Sequence, residues 1–524
     1  MTTFPRSALF CLLLPPCAAL PVRAEPPAKT KEAEALAARL DQLLAARWDG
    51  SKVKPAAAAD DAEFMRRLYL DLAGTIPPVS EVRAFLADTA PDKRRRLIDR
   101  LLDGPDYVNH FTNVWRATWL PEGVDVDNTG PRASFEAWLR VRLGENAGYD
   151  QMVREILTAV PIVSNRGDLS VDVLALGMAS GRPGPVSPVA FYLANENKPE
   201  KLAGSTSRLF LGLRLECAQC HNHPFAEWTR EQFWEYAAFF AGAPQGGNAA
   251  SIAIPNIGKT VQARFPDGTE PGLKKGVNPL GRLAEWATAA DNKYFARAGA
   301  NRVWAYFFGV GLAEPVDDLL REGGKNEMLD ELARQFAGHR FDLKFLIRAV
   351  VSTRAYQLTS AATDPSQDDP RLFARMAVKA LSTEQVIASL TEATGYQPPA
   401  GRPRGPVGAG LLQLELGGSF AKQPGKPTEF QTSIPQALAL MNGRFVNDAT
   451  ALERSGTLAA VAGAPFLDAR GRVETLYLAA LGRKPTAEEG GRLTKYVEKS
   501  GDPDQALADV FWALLNSSEF VLNH

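Results

Sequence analysis

Apolar residues recur at a spacing of three and four along most of this 524-residue chain, and glycine or proline closes many of the runs. In the segment 30–48, for example, the apolar positions include Leu36, Leu40, Leu44 and Trp48. This spacing places apolar side chains on one face of a helix, whereas alternation with period two would indicate strands. The sequence therefore predicts a mainly α-helical fold.

A Gly/Pro-rich segment over residues 243–278 interrupts the helical pattern. It contains two short β-like runs and an Asp267-Gly268 turn, which favour a small hairpin. A chain of this length also exceeds what one hydrophobic core usually serves. We therefore expect two helical domains, residues 33–242 and 279–522, joined by this linker with minor β-structure.

The first 24 residues have the pattern of a secretory signal peptide. Arg6 precedes an apolar stretch that runs to Leu20, and a small residue, Ala24, stands before the polar Glu25. Prolines interrupt the stretch, so it is too short to span a bilayer, and no later segment is long and apolar enough to do so. We expect residues 1–24 to be removed, a periplasmic or secreted protein, and no membrane span.

The balance of charges argues against nucleic acid as a partner. Lys and Arg total 59, Asp and Glu total 60, and the formal net charge is −1. A surface that binds the phosphate backbone needs an excess of basic groups. We therefore expect no nucleic-acid binding.

The cysteines give the most specific chemical signal. Of the four, Cys11 and Cys17 lie in the predicted signal peptide, so the mature chain keeps Cys217 and Cys220, which His221 follows directly. Covalent attachment of haem c requires two thiols separated by two residues and a histidine immediately after them for the iron. The sequence therefore predicts haem c on Cys217 and Cys220, with His221 as the proximal iron ligand and an unknown redox partner.

Two other interpretations of this segment stay open. The two cysteines can form a disulfide, or remain reduced, without any cofactor. With His223 the segment becomes CxxCHxH, a ligand set that suits zinc or another transition metal, to which His110 or a carboxylate could add a further ligand. In either case the chain would be a non-redox binding or assembly module.

The sequence does not identify a sixth ligand for haem iron. Small cytochromes supply a methionine some tens of residues after the attachment motif, and here none occurs between Cys220 and Met328. His110, Met178 and Met328 are candidates, and five-coordinate iron is the remaining option. HExxH, phosphate-loop and GxSxG motifs are absent, so no catalytic residue is predicted.

Several motifs resemble a tandem pair of secreted bacterial families. Arg67 to Leu72, Arg208 to Gly212 and the Cys217 to Phe225 segment are similar to a cytochrome-like domain of unknown function, numbered fifteen forty-nine. Asn301 to Trp304 and Gln436 to Gly443 are similar to its usual companion, numbered fifteen fifty-three. The resemblance implies a secreted, cytochrome-related protein with a link to polysaccharide breakdown, and it implies no defined reaction.

In the part of the chain that resembles the companion family, we expect Asn301, Arg302 and Trp304 to support the fold and not to take part in catalysis. No nucleophile and no acid–base partner accompanies them in the sequence. We expect Arg302 to bridge helix ends.

Overall fold

The computed structural model describes residues 27–120, 130–159, 186–223, 226–242, 250–274, 276–320, 325–396 and 444–524. These residues form helices and two small two-stranded sheets, which confirms the predicted mainly α-helical fold with minor β-structure. The predicted signal peptide and Met178 lie outside the described residues. Within the described ranges, no helix has the length and apolar character needed to cross a membrane.

The described residues up to 242 form helices, and we number the α-helices in chain order among the described elements. They are α1 (Pro27–Gly50), α2 (Asp61–Leu72), α3 (Val79–Ala87), α4 (Lys93–Asp103), α5 (Pro105–Trp119), α6 (Pro131–Gly144), α7 (Tyr149–Thr158), α8 (Ala190–Ala194), α9 (Pro199–Thr206) and α10 (Arg230–Ala237). Proline is the first residue of α5, α6 and α9, where its missing N–H has no helical partner to lose. A side-chain cap begins α2, in which Asp60 accepts a hydrogen bond from the Glu63 N–H.

A short hairpin follows at the position that the sequence predicts. Its strands β1 (Ser251–Ala253) and β2 (Thr260–Gln262) pair antiparallel, with Ile252 opposite Val261. The remaining elements are α11 (Pro279–Ala287), α12 (Phe295–Phe308), α13 (Glu327–Gly338), α14 (Leu343–Ser352), β3 (Lys379–Ala380), α15 (Thr383–Thr394), α16 (Arg444–Ala449), α17 (Gly456–Ala462), α18 (Ala469–Leu481), α19 (Ala487–Lys499), α20 (Pro503–Leu515) and β4 (Leu522–Asn523).

The larger hydrophobic core contains residues from both predicted domains. Buried apolar side chains between Ala33 and Phe240 join those between Ile254 and Met376 in one continuous cluster. Helix α1 packs along α14, and α7 packs against α11, so helices from the two sides of the predicted linker bury each other's apolar faces. The domain boundaries at residues 242 and 279 therefore stay a prediction.

A smaller core is built mainly from the C-terminal helices. It contains buried residues between Leu381 and Val521, and helix α18 packs against both α19 and α20. Leu70 of α2 and Ile76 also belong to this core. The segment around α2 thus contributes to both cores and joins the N-terminal helices to the C-terminal ones.

A buried polar network lies where these parts meet. The Asp71 carboxylate accepts hydrogen bonds from Lys379 Nζ (2.9 Å), Asn523 Nδ2 (2.7 Å) and the Tyr356 hydroxyl (2.9 Å). The Lys379 ammonium also donates to the carbonyl of Phe307 at 2.8 Å. Strands β3 and β4 pair with each other and hold Lys379 opposite Asn523. Each charged group of the network therefore has several hydrogen-bonding partners, which offset the cost of burying it.

Candidate functional site

The CxxCH motif begins in a short 3-10 helix and is followed by α10. After α9 the backbone widens into a π-helix, Ser207–Leu211, which ends at Gly212. A 3-10 helix, Leu215–Ala218, follows and includes Cys217. The sequence predicts one continuous helix from Pro199 to Leu213, and the structure shows that its second half is a π-helix, a form found frequently at functional sites.

The predicted site residues stay together at the protein surface. Cys217 is half-buried, whereas Cys220 and His221 are exposed. Both cysteines are free thiols, so the predicted alternative of a disulfide is not the state shown here. His221 Nδ1 lies 2.7 Å from the carbonyl oxygen of Asn222. His223 is half-buried, and its backbone N–H donates to the Trp228 carbonyl at 2.8 Å.

Two side chains of α10 fix the backbone between the cysteines. Trp234 Nε1 donates to the Gln219 carbonyl at 3.1 Å, and Arg230 Nε donates to the same oxygen at 3.3 Å. Arg230 Nη2 also donates to the Pro255 carbonyl in the turn of the hairpin, at 2.7 Å. Arg230 therefore ties the CxxCH segment to the hairpin.

Sequence reasoning did not identify Arg230. It placed Trp234 on an aromatic helix that could either wall an apolar cofactor or belong to the core, and it did not predict the hydrogen bond to Gln219. The available signal was the capping box that begins α10, in which Thr229 and Gln232 bond to each other's backbone N–H groups. It places α10 directly after the motif and so brings the first turns of this helix close to the cysteines.

The surroundings of Cys217 do not activate its thiol. Burial raises the pKa of this group, and the negative charge of Glu216 raises it further. Burial also raises the pKa of the Glu216 carboxyl. A thiol catalyst needs the opposite environment, with a lowered pKa that produces thiolate at neutral pH. These surroundings favour the protonated thiol of Cys217 over the thiolate.

The side chains of the motif can be compared with what a metal ion and a haem each require. Among the described residues, no three His, Cys, Asp or Glu side chains are grouped so that they could hold a metal ion. Haem c does not need side chains that converge on a single ion, because the two thiols bond to separate vinyl groups of one macrocycle and one imidazole reaches its iron. Free thiols at Cys217 and Cys220 and an exposed imidazole at His221 meet this requirement.

His110 and Met328, two candidates for a sixth iron ligand, are interior residues. His110 Nε2 lies 2.7 Å from the Tyr306 hydroxyl, and burial lowers the pKa of the imidazole to about 4. Met328 belongs to the larger core. Both side chains are therefore engaged in packing, unlike the exposed His221.

The Asn301, Arg302 and Trp304 side chains are packed inside the protein. Asn301 exchanges two hydrogen bonds with the backbone of Ala313, at 2.8 and 3.1 Å. The Trp304 ring stacks on Phe308 with centroids 4.3 Å apart. Arg302 Nη2 lies 3.4 Å from the Leu209 carbonyl in the π-helix, so it joins α12 to the segment that leads into the CxxCH motif.

Comparison with known families gives a match for two regions of the chain. Residues 39–245 match the family model PSCyt2, protein of unknown function (DUF1549), and residues 281–406 match PSD1, protein of unknown function (DUF1553). The chain carries this tandem pair. The PSCyt2 region contains the CxxCH segment, and the PSD1 region begins in α11 and extends past α15. Comparison with curated proteins and with solved structures gives no match.

Proposed function

We propose that the chain is an exported haem c protein with an electron-transfer or haem-dependent redox function. In this proposal Cys217 and Cys220 form the two thioether bonds and His221 is the proximal iron ligand. The observation that carries it is the arrangement of two free thiols, one half-buried and one exposed, and an exposed imidazole on a backbone held at Gln219. When bound, the haem would supply one-electron chemistry at its iron.

The residues around the motif would hold the cofactor in place. Trp234 and Arg230 fix the carbonyl between the two cysteines, so the spacing of the thiols is maintained before attachment. The exposed position of Cys220 and His221 leaves the motif accessible to attachment enzymes and to a redox partner. The short name PSCyt2 also suggests a cytochrome-like family, and a link to polysaccharide breakdown rests on the resemblance alone.

The experiment is expression of the full chain, with its N-terminal segment, in a periplasm that contains c-type maturation enzymes. The purified protein should carry one haem that survives denaturation, should stain for haem peroxidase activity on a denaturing gel, and should gain about 616 Da in intact mass. The Cys217→Ser, Cys220→Ser double variant should lose the stain and the added mass.

Two histidine variants distinguish the proximal ligand. His221→Ala should alter the Soret spectrum of the attached haem, whereas His223→Ala, a neighbouring histidine, should leave the attachment and the spectrum unchanged. A colourless wild-type protein with stoichiometric zinc, or with a mass two protons below that of the dithiol, contradicts the proposal and supports the non-redox binding module.

A further inference from the structure

The segment that leads into the CxxCH motif is held by the PSD1 region. The Leu319 N–H donates to the Gly212 carbonyl at 2.9 Å, which is a backbone hydrogen bond between the two regions. Asp317 Oδ2 lies 3.4 Å from Arg214 Nη2 and 3.9 Å from Arg208 Nη1. One carboxylate of the PSD1 region thus stands between two arginines that flank the end of the π-helix.

The backbone at Gly212 lies so close to Leu319 and Ala298 that there is no room for a side chain at this position. Gly212 has a φ of 62°, in the left-handed region that favours glycine. A Cβ atom at this position would lie 2.8 Å from the Leu319 side chain and 3.4 Å from Ala298 Cβ. The PSD1 region therefore contacts the end of the π-helix so closely that the absence of a side chain at residue 212 is required.

We propose that the PSD1 region positions the CxxCH segment of the PSCyt2 region, with Asp317 as the positioning residue. The relevance of this role to a cofactor rests on the proposed haem function. The hydrogen bond at Gly212 fixes where the π-helix ends, and Asp317 fixes the direction of the chain through Arg208 and Arg214. Arg214 lies three positions before Cys217, so these contacts determine the position and direction of the Cys217 side chain.

This arrangement gives a physical reason for the tandem order of the two regions. The π-helix and the 3-10 helix are short, and neither has the repeated hydrogen bonds that stabilise a long α-helix. Such a segment needs tertiary contacts to keep one conformation. Asp317, Leu319 and Arg302 of the PSD1 region supply them.

The test measures the segment without haem. The full chain is exported in a host that lacks c-type maturation enzymes, in a Cys220→Ser background, so that Cys217 is the one thiol of the mature chain. Asp317→Asn should accelerate iodoacetamide alkylation of Cys217 roughly two- to fivefold, in proportion to one or two partly exposed ion pairs. Hydrogen exchange of the Leu319 amide should also be faster in Asp317→Asn, while the midpoint temperature of thermal unfolding stays unchanged.

Three further variants make the result specific. Asp317→Glu keeps the charge and should restore slow alkylation, and Arg214→Gln, which removes the nearer partner, should accelerate alkylation as Asp317→Asn does. The charge of Asp317 raises the pKa of Cys217 and that of Arg214 lowers it, so an effect of charge alone would instead slow alkylation in Arg214→Gln. Asp330→Asn is the matched control, because Asp330 is a PSD1 carboxylate that pairs with Arg297 of α12. Unchanged alkylation and exchange in Asp317→Asn, or equal acceleration in Asp330→Asn, overturns the positioning role. Since no haem is present, this outcome is independent of whether haem attaches.

Discussion

The ammonium of Lys379 lies 2.9 Å from the carboxylate of Asp71, and both side chains are almost completely buried. Asn523 and Tyr356 donate to the same carboxylate, so each of its oxygens is occupied. A buried pair of this kind is tolerated when its geometry is good and its remaining hydrogen-bonding groups have partners. Removing one member leaves the other charge in the interior without compensation.

Lys379→Met should therefore lower the free energy of unfolding by about 3–5 kcal/mol. Urea denaturation at pH 7, followed by circular dichroism, measures the change. The Asp71→Leu, Lys379→Met double variant should lose less than the sum of the single variants, because it leaves no unpaired charge. Arg371→Met, which breaks an exposed pair with Asp369, serves as the control and should change stability by less than about 0.5 kcal/mol. Equal effects in Lys379→Met and Arg371→Met would contradict this account.

His110 should make stability fall at mildly acidic pH. Burial lowers the pKa of its imidazole from 6.5 to about 4, so the folded state keeps it neutral while the unfolded state takes up a proton. The stabilisation of the folded state by neutral His110 is fully present above pH 6.5 and is lost as the pH falls towards 4. The total loss in unfolding free energy is about 3 kcal/mol. The drop in unfolding free energy between pH 7.5 and pH 4.5 should be about 2–3 kcal/mol larger for wild type than for His110→Gln. Parallel pH profiles of the two proteins would show that His110 is not buried as a neutral group.

Arg230→Ala should release the CxxCH segment from the hairpin. The variant removes the donors to the Gln219 and Pro255 carbonyls, each worth about 0.5–1.5 kcal/mol. Amide exchange at Ile254 should therefore accelerate by about two- to tenfold, as measured by mass spectrometry. Arg264→Ala, which removes an exposed ion pair with Glu270 in the same part of the chain, should leave that exchange rate unchanged. Acceleration in both variants, or in neither, would rule out a specific clamp at Arg230.

Asn301→Ala should destabilise the fold through the turn that follows α12. Its side-chain amide satisfies both the N–H and the carbonyl of Ala313, and the site is buried. The variant leaves both backbone groups without their partner, which should cost about 2–4 kcal/mol in unfolding free energy. Thermal and urea denaturation check this value, and a loss below about 0.5 kcal/mol would show that the turn is held by other contacts.

The helices could be predicted from the sequence because apolar spacing and stop residues are local signals. The predicted helix at 294–308 is observed as Phe295–Phe308, and the one at 504–515 as Pro503–Leu515. Helices such as Ala190–Ala194 and Arg444–Ala449 were not predicted, since fewer than two turns show no periodicity. A two-residue strand such as Lys379–Ala380 has no sequence signal either.

The pairing of helix faces could not be predicted, because periodicity shows that a face is buried but does not show what covers it. The larger core therefore crosses the predicted linker without any sign in the sequence. The CxxCHxH segment was predicted as a unit because its spacing carries the chemistry. The sequence suggested that Asp317 was a charge at the start of a helix, and no described helix begins there. Its contact with Arg214, about a hundred residues away in the sequence, arises only when the chain folds.

The hydrogen-bonding partners of Asp71 lie far from it along the sequence, so they are synthesised much later than Asp71. Lys379 is 308 residues from Asp71, and Asn523 is 452 residues away. An N-terminal part that emerges first therefore exposes an uncompensated carboxylate and incomplete apolar faces until the last strand is available. Contacts of such long sequence separation make folding slow, because chain closure must precede the gain from packing. The native network around Asp71 therefore cannot be complete before residue 523 has been synthesised.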